Sequence, residues 1–217
     1  MPLEEMSSFF DARVDNYDTH MLNEVEGCRE GYEKLASLLP PQAADLLDLG
    51  CGTGLELDKI FRVNPDICVT GVDLSGAMLA KLSQKYRGRN LTLIRGNYLD
   101  CDFGACRFDA AVSFESLHHL TLAEKLKLYA KVLFALRPGG LYIEGDYVAA
   151  DLPQEDFLRR ECERLRREEG IPEGVLCHFD MPCTVGHQLA LLRAAGFVRA
   201  QHVWQTGNTA ILTAEAP

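Results

Sequence analysis

The chain has 217 residues, a formal net charge of −10 and 47% hydrophobic content, which suits one domain with a large buried core, with or without an insertion. The negative charge would repel a phosphate backbone and no basic tract offsets it, which argues against nucleic acid as a partner. No stretch approaches the ~20 apolar residues of a membrane span, and Met1-Pro2-Leu3-Glu4-Glu5 lacks the basic and apolar regions of a signal peptide, so a cytoplasmic protein without a membrane partner is expected.

From about Glu4 to Leu39 the pattern predicts two helical segments. In the second, Val25, Cys28, Tyr32, Leu35, Leu38 and Leu39 recur at helical spacing, and Pro40-Pro41 ends it. The pattern then alternates: strand over Asp45–Leu49, helix over Leu55–Arg62, strand over Ile67–Asp73, helix over Ser75–Tyr86, strand over Leu91–Arg95. A fourth strand over Phe108–Ser113 precedes a helix over Thr121–Leu136, which Pro138-Gly139-Gly140 stops, and a fifth strand covers Leu141–Tyr147. Strands alternating with helices imply parallel βαβ units with helices on both faces of the sheet.

Residues 149–182 break that rhythm. Gln154 to Glu169 is densely charged, yet Phe157, Leu158, Cys162 and Leu165 fall on one stripe, which predicts a solvated helix with one buried face. Following the fifth strand, it belongs over the carboxyl edge of the sheet, as a lid. A helix from Thr184 to Ala195 ends at Gly196, and strands over 197–204 and 209–214, joined through Gly207-Asn208, must run antiparallel to each other. The expected architecture is α/β: a doubly wound, seven-stranded, mostly parallel sheet with N-terminal helices and an inserted helical lid. One domain over 1–217 would comprise a helical cover (1–40), a core (41–148), the lid (149–183) and a closing helix with two strands (184–217). Eight cysteines are scattered through predicted strands and loops, which suits reduced, apolar side chains better than a disulfide framework.

The most informative segment is Leu46-Leu47-Asp48-Leu49-Gly50-Cys51-Gly52-Thr53-Gly54-Leu55, a strand running into a loop with glycine at every second position. A dinucleotide loop reads G-x-G-x-x-G, because a pyrophosphate must sit on the helix N-terminus, and Leu55 stands where the third glycine is required. An acid followed by G-x-G-x-G instead resembles the cofactor loop of class I S-adenosylmethionine-dependent methyltransferases, and the resemblance covers essentially 10–214. It implies a fold of the Rossmann-like methyltransferase type and S-adenosylmethionine as cofactor, with S-adenosylhomocysteine as product.

The resemblance implies that Asp48, Gly50, Cys51 and Gly52 lie beside the methionine part of the cofactor. Asp73, at the tip of the second strand, can accept from both ribose hydroxyls. The run Asp73-Leu74-Ser75-Gly76-Ala77-Met78-Leu79 matches the family's D-x-S-x-x-M-L, placing Leu74 and Met78 near the ribose and adenine. Relatives carry an acid where this chain has Asn97, an amide that can still accept from the adenine amino group, and Tyr98 would offer its backbone N–H. Ser113 lies at the end of the fourth strand. Tyr17, within Phe10-Asp11-Ala12-Arg13-Val14-Asp15-Asn16-Tyr17-Asp18, matches a tyrosine that closes over the cofactor carboxylate in methyltransferases acting on quinones and similar acceptors.

The carboxyl end of the fourth strand must lie next to the glycine loop if the strand order reverses there, which would face it toward the transferable methyl, and many small-molecule methyltransferases resemble this chain in carrying a histidine pair, here His118 and His119, just past that strand. His119 is the expected proton acceptor and His118 its supporting contact. Asp146, Tyr147, His178 and Asp180 are candidates for the substrate pocket. Cys177-His178-Phe179-Asp180 with Cys183 and His187 is the arrangement closest to a metal cluster, but its spacing fits neither C-x₂₋₄-C nor H-x₃₋₅-H, so no metal is expected. The acceptor is expected to be a small molecule, with oxygen, nitrogen, carbon and sulfur left open, as is the oligomeric state. Two alternatives stand beside this reading: a nicotinamide-dependent oxidoreductase, which Leu55 opposes, and a protein that binds the cofactor without turnover.

Overall fold

The computed structural model describes residues 2–172 and 174–217. Strands β1 (Asp45–Leu49), β2 (Cys68–Asp73), β3 (Leu91–Arg95), β4 (Phe108–Phe114), β5 (Leu136–Tyr147), β6 (Val198–Thr206) and β7 (Thr209–Glu215) form one sheet in the order β3-β2-β1-β4-β5-β7-β6. All pairs from β3 to β5 are parallel, and β7 is antiparallel to both neighbours. The central strands are buried on both faces because helices cover both, the condition under which parallel sheets are stable.

Helices α3 (Cys28–Leu38), α4 (Leu55–Val63) and α5 (Gly76–Lys85) supply one core layer, with Tyr32, Leu35, Leu57, Ile60, Leu79 and Leu82 against Leu46, Val69 and Val112. Helices α6 (Leu122–Ala135) and α8 (Val185–Ala194) supply the other, with Leu128, Tyr129, Val132 and Leu192 against Leu47, Leu49, Val72 and Tyr142. The helix starts follow local chemistry. Ser75 Oγ accepts from Met78 N–H at 3.0 Å, and Thr121 with Glu124 forms a reciprocal capping box.

Three differences from the sequence reading have physical causes. The N-terminal region holds three helices rather than two: α1 (Met6–Asp11), α2 (Val14–Asn23) and α3, with Gly27 in the left-handed region (φ +82°) separating the last two. Pro138-Gly139-Gly140 does not precede β5 but bulges within it, so that Leu136 already pairs with Phe108 before Leu141 pairs with Ala110. In helix α7 (Leu152–Glu168), none of whose residues lines the crevice, Cys162 is buried and Leu158 and Leu165 are half-buried, but Phe157 faces solvent. Phe157 lies one residue off the stripe that Glu155, itself buried, completes. No described helix is long and apolar enough to cross a membrane.

Candidate active site

The strand order reverses between β1 and β4, and the crevice beyond their carboxyl ends is where ligands of open α/β sheets bind. On the β1–β2 side, the turn after β1 carries Gly50 and Gly54 at φ +68° and +71°, a region that costs L-residues roughly 1–2 kcal/mol. A Cβ on Gly50 would also collide with Ser116 Oγ. The turned backbone lets Gly52 N–H donate to Asp73 Oδ2 at 2.8 Å, while Ser75 N–H donates to Asp73 Oδ1 at 2.8 Å. Asp73 is thus anchored at the tip of β2 with acceptor capacity to spare on both oxygens. Burial raises its carboxyl above the ordinary value, and these two backbone donors partly oppose the rise.

Gly50, Gly52, Asp73, Leu74, Met78, Tyr98, Tyr17 and Ser116 line one cleft with Met6, Phe10 and Leu176. Asp48 lies beneath, buried, and its Oδ2 has no hydrogen-bond partner among the described residues. Burial pushes the Asp48 carboxyl far up, and neighbouring Glu56 pushes it further. Three expected cofactor residues turn elsewhere. Cys51 packs its sulfur over Gly71 in the core, Ser113 Oγ pairs with Tyr142 Oη at 2.9 Å, and Asn97 Oδ1 accepts from Leu99 N–H at 2.9 Å, closing its own turn.

The N-terminal helices form one wall, and acids that the sequence reading passed over fasten them. Asp11 accepts from Ser75 Oγ at 2.5 Å and from Ala77 N–H at 3.2 Å, and Asp18 accepts from Thr53 Oγ1 at 2.5 Å with Lys85 Nζ at 3.3 Å. Tyr17, carried on α2, thereby comes to face Gly52. No spacing rule links Asp11 to Ser75, so only the fold reveals these contacts.

On the β4–β5 side lies a chamber of about 900 Å³, lined by Phe9, Phe10, Arg13, Tyr17, Met21, Val25, Glu115, His118, His119, Tyr147, His178 and Asp180, with Glu24, Glu26, Asn208 and Thr209 among the rest. Glu115, His118, His119, Tyr147, His178 and Asp180 all face it, whereas Asp146 stands behind His118. Asp146 Oδ1 lies 2.6 Å from His118 Nδ1, and Lys125 Nζ donates to Asp146 Oδ2 at 3.2 Å. Burial works against charging His118, but the Asp146 carboxylate outweighs it and lifts the imidazole to about 9. Burial likewise opposes ionisation of Asp146, and Lys125 with His118 overcomes it and holds the carboxyl low. His119 goes the other way: burial and the adjacent His118 hold it far below the ordinary imidazole range. Its Nδ1 lies 3.2 Å from the Phe179 carbonyl. His178 stacks on Phe9 with ring centroids 3.5 Å apart.

Glu115 is a site residue that sequence reasoning missed. Its φ of +48° is a left-handed conformation for a residue with a Cβ, held by N–H donation to the Gly145 carbonyl at 2.9 Å. Burial lifts its carboxyl to about 7. The signal available in the sequence was an acid directly after a strand and three residues before a histidine pair. The Cys177–His187 segment disperses: Cys183 is buried, and His187 Nδ1 lies 2.5 Å from Glu155 Oε1.

The cofactor test is chemical as well as spatial. The cleft alone holds about 50 Å³, far below the several hundred Å³ of ordinary ligand sites, because Tyr17 and Ser116 close over it. Its lining nevertheless fits an adenosyl amino acid: a strand-tip carboxylate at Asp73 with acceptor capacity to spare, and a glycine turn without phosphate-binding spacing.

Comparison with known proteins agrees. A family model described as a methyltransferase domain matches residues 46–140. An uncharacterized methyltransferase of Geobacillus kaustophilus is 28% identical over 164 residues, covering 75% of this chain and 72% of its own length. The O-methyltransferase cnsE of Penicillium expansum is 31% identical over 146 residues, or 64% of this chain, which spans about half (51%) of that protein. In fold, a putative O-methyltransferase from Nostoc punctiforme superposes with a TM-score of 0.73 at 19% identity, over 99% of this chain and 62% of its own. The family model spans β1 to the bulge in β5, a stretch that includes the glycine turn and Asp73, and these matches support a class I S-adenosylmethionine-dependent methyltransferase with S-adenosylmethionine as its cofactor.

Proposed function

We propose that the protein transfers a methyl group to a small-molecule acceptor seated in the chamber beside β4 and β5. One observation carries this reading: Phe10, Tyr17, Glu115 and His119 line both the cleft and the chamber, so the donor and acceptor spaces meet at these four side chains. S-adenosylmethionine supplies a sulfonium methyl whose carbon is open to in-line attack, leaving the C–S electron pair on sulfur as S-adenosylhomocysteine. Asp73 holds the ribose, Leu74, Met78 and Tyr98 pack along the nucleoside, Asp48 and the Gly50–Gly52 backbone attend the amino acid, and Tyr17 closes over it. Asn97, Cys51 and Ser113 shape the same edge from behind. His118 and His119 are the catalytic residues, meeting the acceptor where the two spaces join. Since the sulfonium is already a good leaving group, positioning supplies much of the acceleration.

The chamber also describes its ligand. The lining divides between apolar, partly aromatic side chains, Phe9, Phe10, Tyr17, Met21 and Val25, and the imidazoles and carboxylates packed beside them, with His178 stacked on Phe9. An acceptor with an apolar body and one polar nucleophile matches this division, with Tyr147, His178 and Asp180 contacting it and Asp146 orienting His118. Glu24, Glu26, Glu115 and Asp180 make the chamber unwelcoming to a phosphate backbone. All eight cysteines are unpaired, which supports residence in the reducing cytoplasm, and one domain built as cover, core, lid and closing strands is the organisation we infer.

The test is a thermal-shift comparison of S-adenosylhomocysteine with NADH, followed by methyl transfer to a panel of amphipathic hydroxyl, amine and thiol compounds. Stabilisation by S-adenosylhomocysteine and turnover of at least one compound is expected. Stabilisation by NADH alone would sink the proposal, and tight cofactor binding with no turnover across the panel would replace it with a non-catalytic binding protein.

A further inference from the structure

Resting on the reading of the chamber as the acceptor seat, we propose that Glu115 is a further catalytic residue, whose carboxylate takes the proton of the acceptor nucleophile where the donor and acceptor spaces meet. Of the four side chains that line both spaces, Phe10 has no proton to exchange, and burial holds the Tyr17 phenol far above its ordinary range. That leaves Glu115 and His119. Glu115 Oε1 accepts from Thr209 Oγ1 at 3.0 Å. Its Oε2 lies 3.8 Å from His118 Nδ1, beyond the roughly 2.7–3.2 Å of a hydrogen bond, and that nitrogen is already engaged with Asp146 at 2.6 Å. One carboxylate oxygen is therefore uncommitted among the described residues, on a side chain only 6% exposed. Its backbone stands at φ +48°, a conformation that a residue with a Cβ keeps only where the surroundings enforce it.

His119 is the poorer base for an electrostatic reason. Its Nδ1 hydrogen faces the Phe179 carbonyl at 3.2 Å, so Nε2 is the nitrogen left to accept. A proton there would create a second imidazolium, in a ring whose centroid is 4.1 Å from that of His118, which Asp146 keeps charged. A proton on Glu115 has the opposite consequence. The acceptor's lone pair forms the bond to the methyl carbon, the C–S pair stays on sulfur, and the acceptor's proton goes to Glu115 Oε2. One sulfonium cation and one carboxylate become two neutral groups, the change that buried surroundings favour. His118 and His119 then orient the acceptor by hydrogen bonds.

The groups around Glu115 leave it free to titrate near neutrality. Burial lifts it to about 7, against the pull of charged His118. Lys125 and His118 hold Asp146 low despite its burial, while burial keeps the Cys28 thiol and the Tyr17, Tyr32 and Tyr147 phenols protonated. Asp180, from the segment before α8, is the remaining acid that faces it.

The experiment is calorimetry on the full chain with S-adenosylmethionine, which carries the sulfonium charge, and S-adenosylhomocysteine, which lacks it. At about pH 8, where Glu115 is ionised, its carboxylate favours the charged ligand. Glu115→Gln, which keeps the side chain's size and the oxygen for Thr209, should lower the ratio of the two affinities about 10-fold, the lower end of the effect of an opposite charge nearby. Glu24→Gln removes a carboxylate that lines the chamber but not the cleft, and should leave the ratio unchanged. In wild type the ratio should rise with pH through about 7, a slope missing from Glu115→Gln. For any hydroxyl, amine or thiol compound that wild type methylates, Glu115→Gln should lower kcat about 100-fold. A ratio or a kcat unmoved by Glu115→Gln, or a ratio lowered equally by Glu24→Gln, removes Glu115 and keeps the methyltransferase. A wild-type ratio flat across pH 7 overturns the proposal even where the variant does not fold. Binding of neither ligand, or binding without methylation of any compound, removes the function itself and the proposal with it.

Discussion

The carboxyl ends of β1 and β2 and those of β4 and β5 belong to one crevice, yet they are built by different means. The donor side is made of backbone and near neighbours: Gly52 and Ser75 meet Asp73 through main-chain N–H groups, and Gly50 N–H donates to the Val72 carbonyl. The acceptor side is made of side chains from distant segments, with a chain of charge running from Lys125 through Asp146 to His118 behind it. A seat built from backbone recurs wherever the same ligand must be held. A seat built from side chains can be rewritten by a few substitutions, and on the function proposed above it is the seat of the methyl acceptor.

That contrast breaks or sharpens under four changes. The largest effect is expected at Lys125, fully buried between Asp146 and Glu144 at 3.2 and 3.7 Å. Lys125→Met leaves buried carboxylates without their cation and should cost about 3–5 kcal/mol in equilibrium denaturation. Lys59→Met on the donor side, whose partner Glu33 is exposed, should cost less than about 1 kcal/mol. Equal losses would erase the distinction between a charged interior and a charged surface.

Next, His118→Ala should lower turnover about 100-fold, the scale of a lost acid–base or acceptor-activating group, without changing S-adenosylhomocysteine affinity measured by calorimetry. The reverse pattern belongs to Asp73→Asn. Losing a charged acceptor there should weaken S-adenosylhomocysteine by about 10- to 100-fold, since hydrogen bonds to charged groups contribute roughly 1.5–3 kcal/mol each. If His118→Ala weakened the cofactor as much as Asp73→Asn did, the two halves would be one site.

The smallest effect is a pH dependence. Burial lifts the Glu144 carboxyl from its ordinary 4.5 to about 7, beneath the acceptor side, where Tyr129 Oη donates to it at 3.0 Å. Between those values the folded chain holds a proton that the unfolded chain releases. The stability this contributes is therefore complete below about pH 4.5 and is lost as pH rises through about 7. Glu144→Gln, which carries its hydrogen at every pH, should flatten that decline when denaturation midpoints are compared across the window. An unchanged slope would move the titration to another group.

Much of this molecule can be read in order along the chain. The alternation of strands and helices from 45 to 147, the antiparallel closing pair, the glycine turn and Asp73 are local patterns, each set by neighbours within a few residues. The errors lie where a distant partner decides. Helical spacing puts Phe157 on the buried stripe of α7, yet it is exposed, because Glu155 and Cys162 set the face that packs. Leu136 was assigned to a helix end but begins β5, because Phe108 pairs with it.

At the site the same division holds. By itself the sequence determined the donor, since a backbone that must turn left-handed and place a carboxylate at a strand tip needs particular residues at fixed spacing. Only the tertiary structure decided the acceptor side. His118 and Asp180 are 62 positions apart and Glu115 owes its strained φ to Gly145, so their mutual distances and electrostatics exist only once the sheet and the segment around Asp180 have come together.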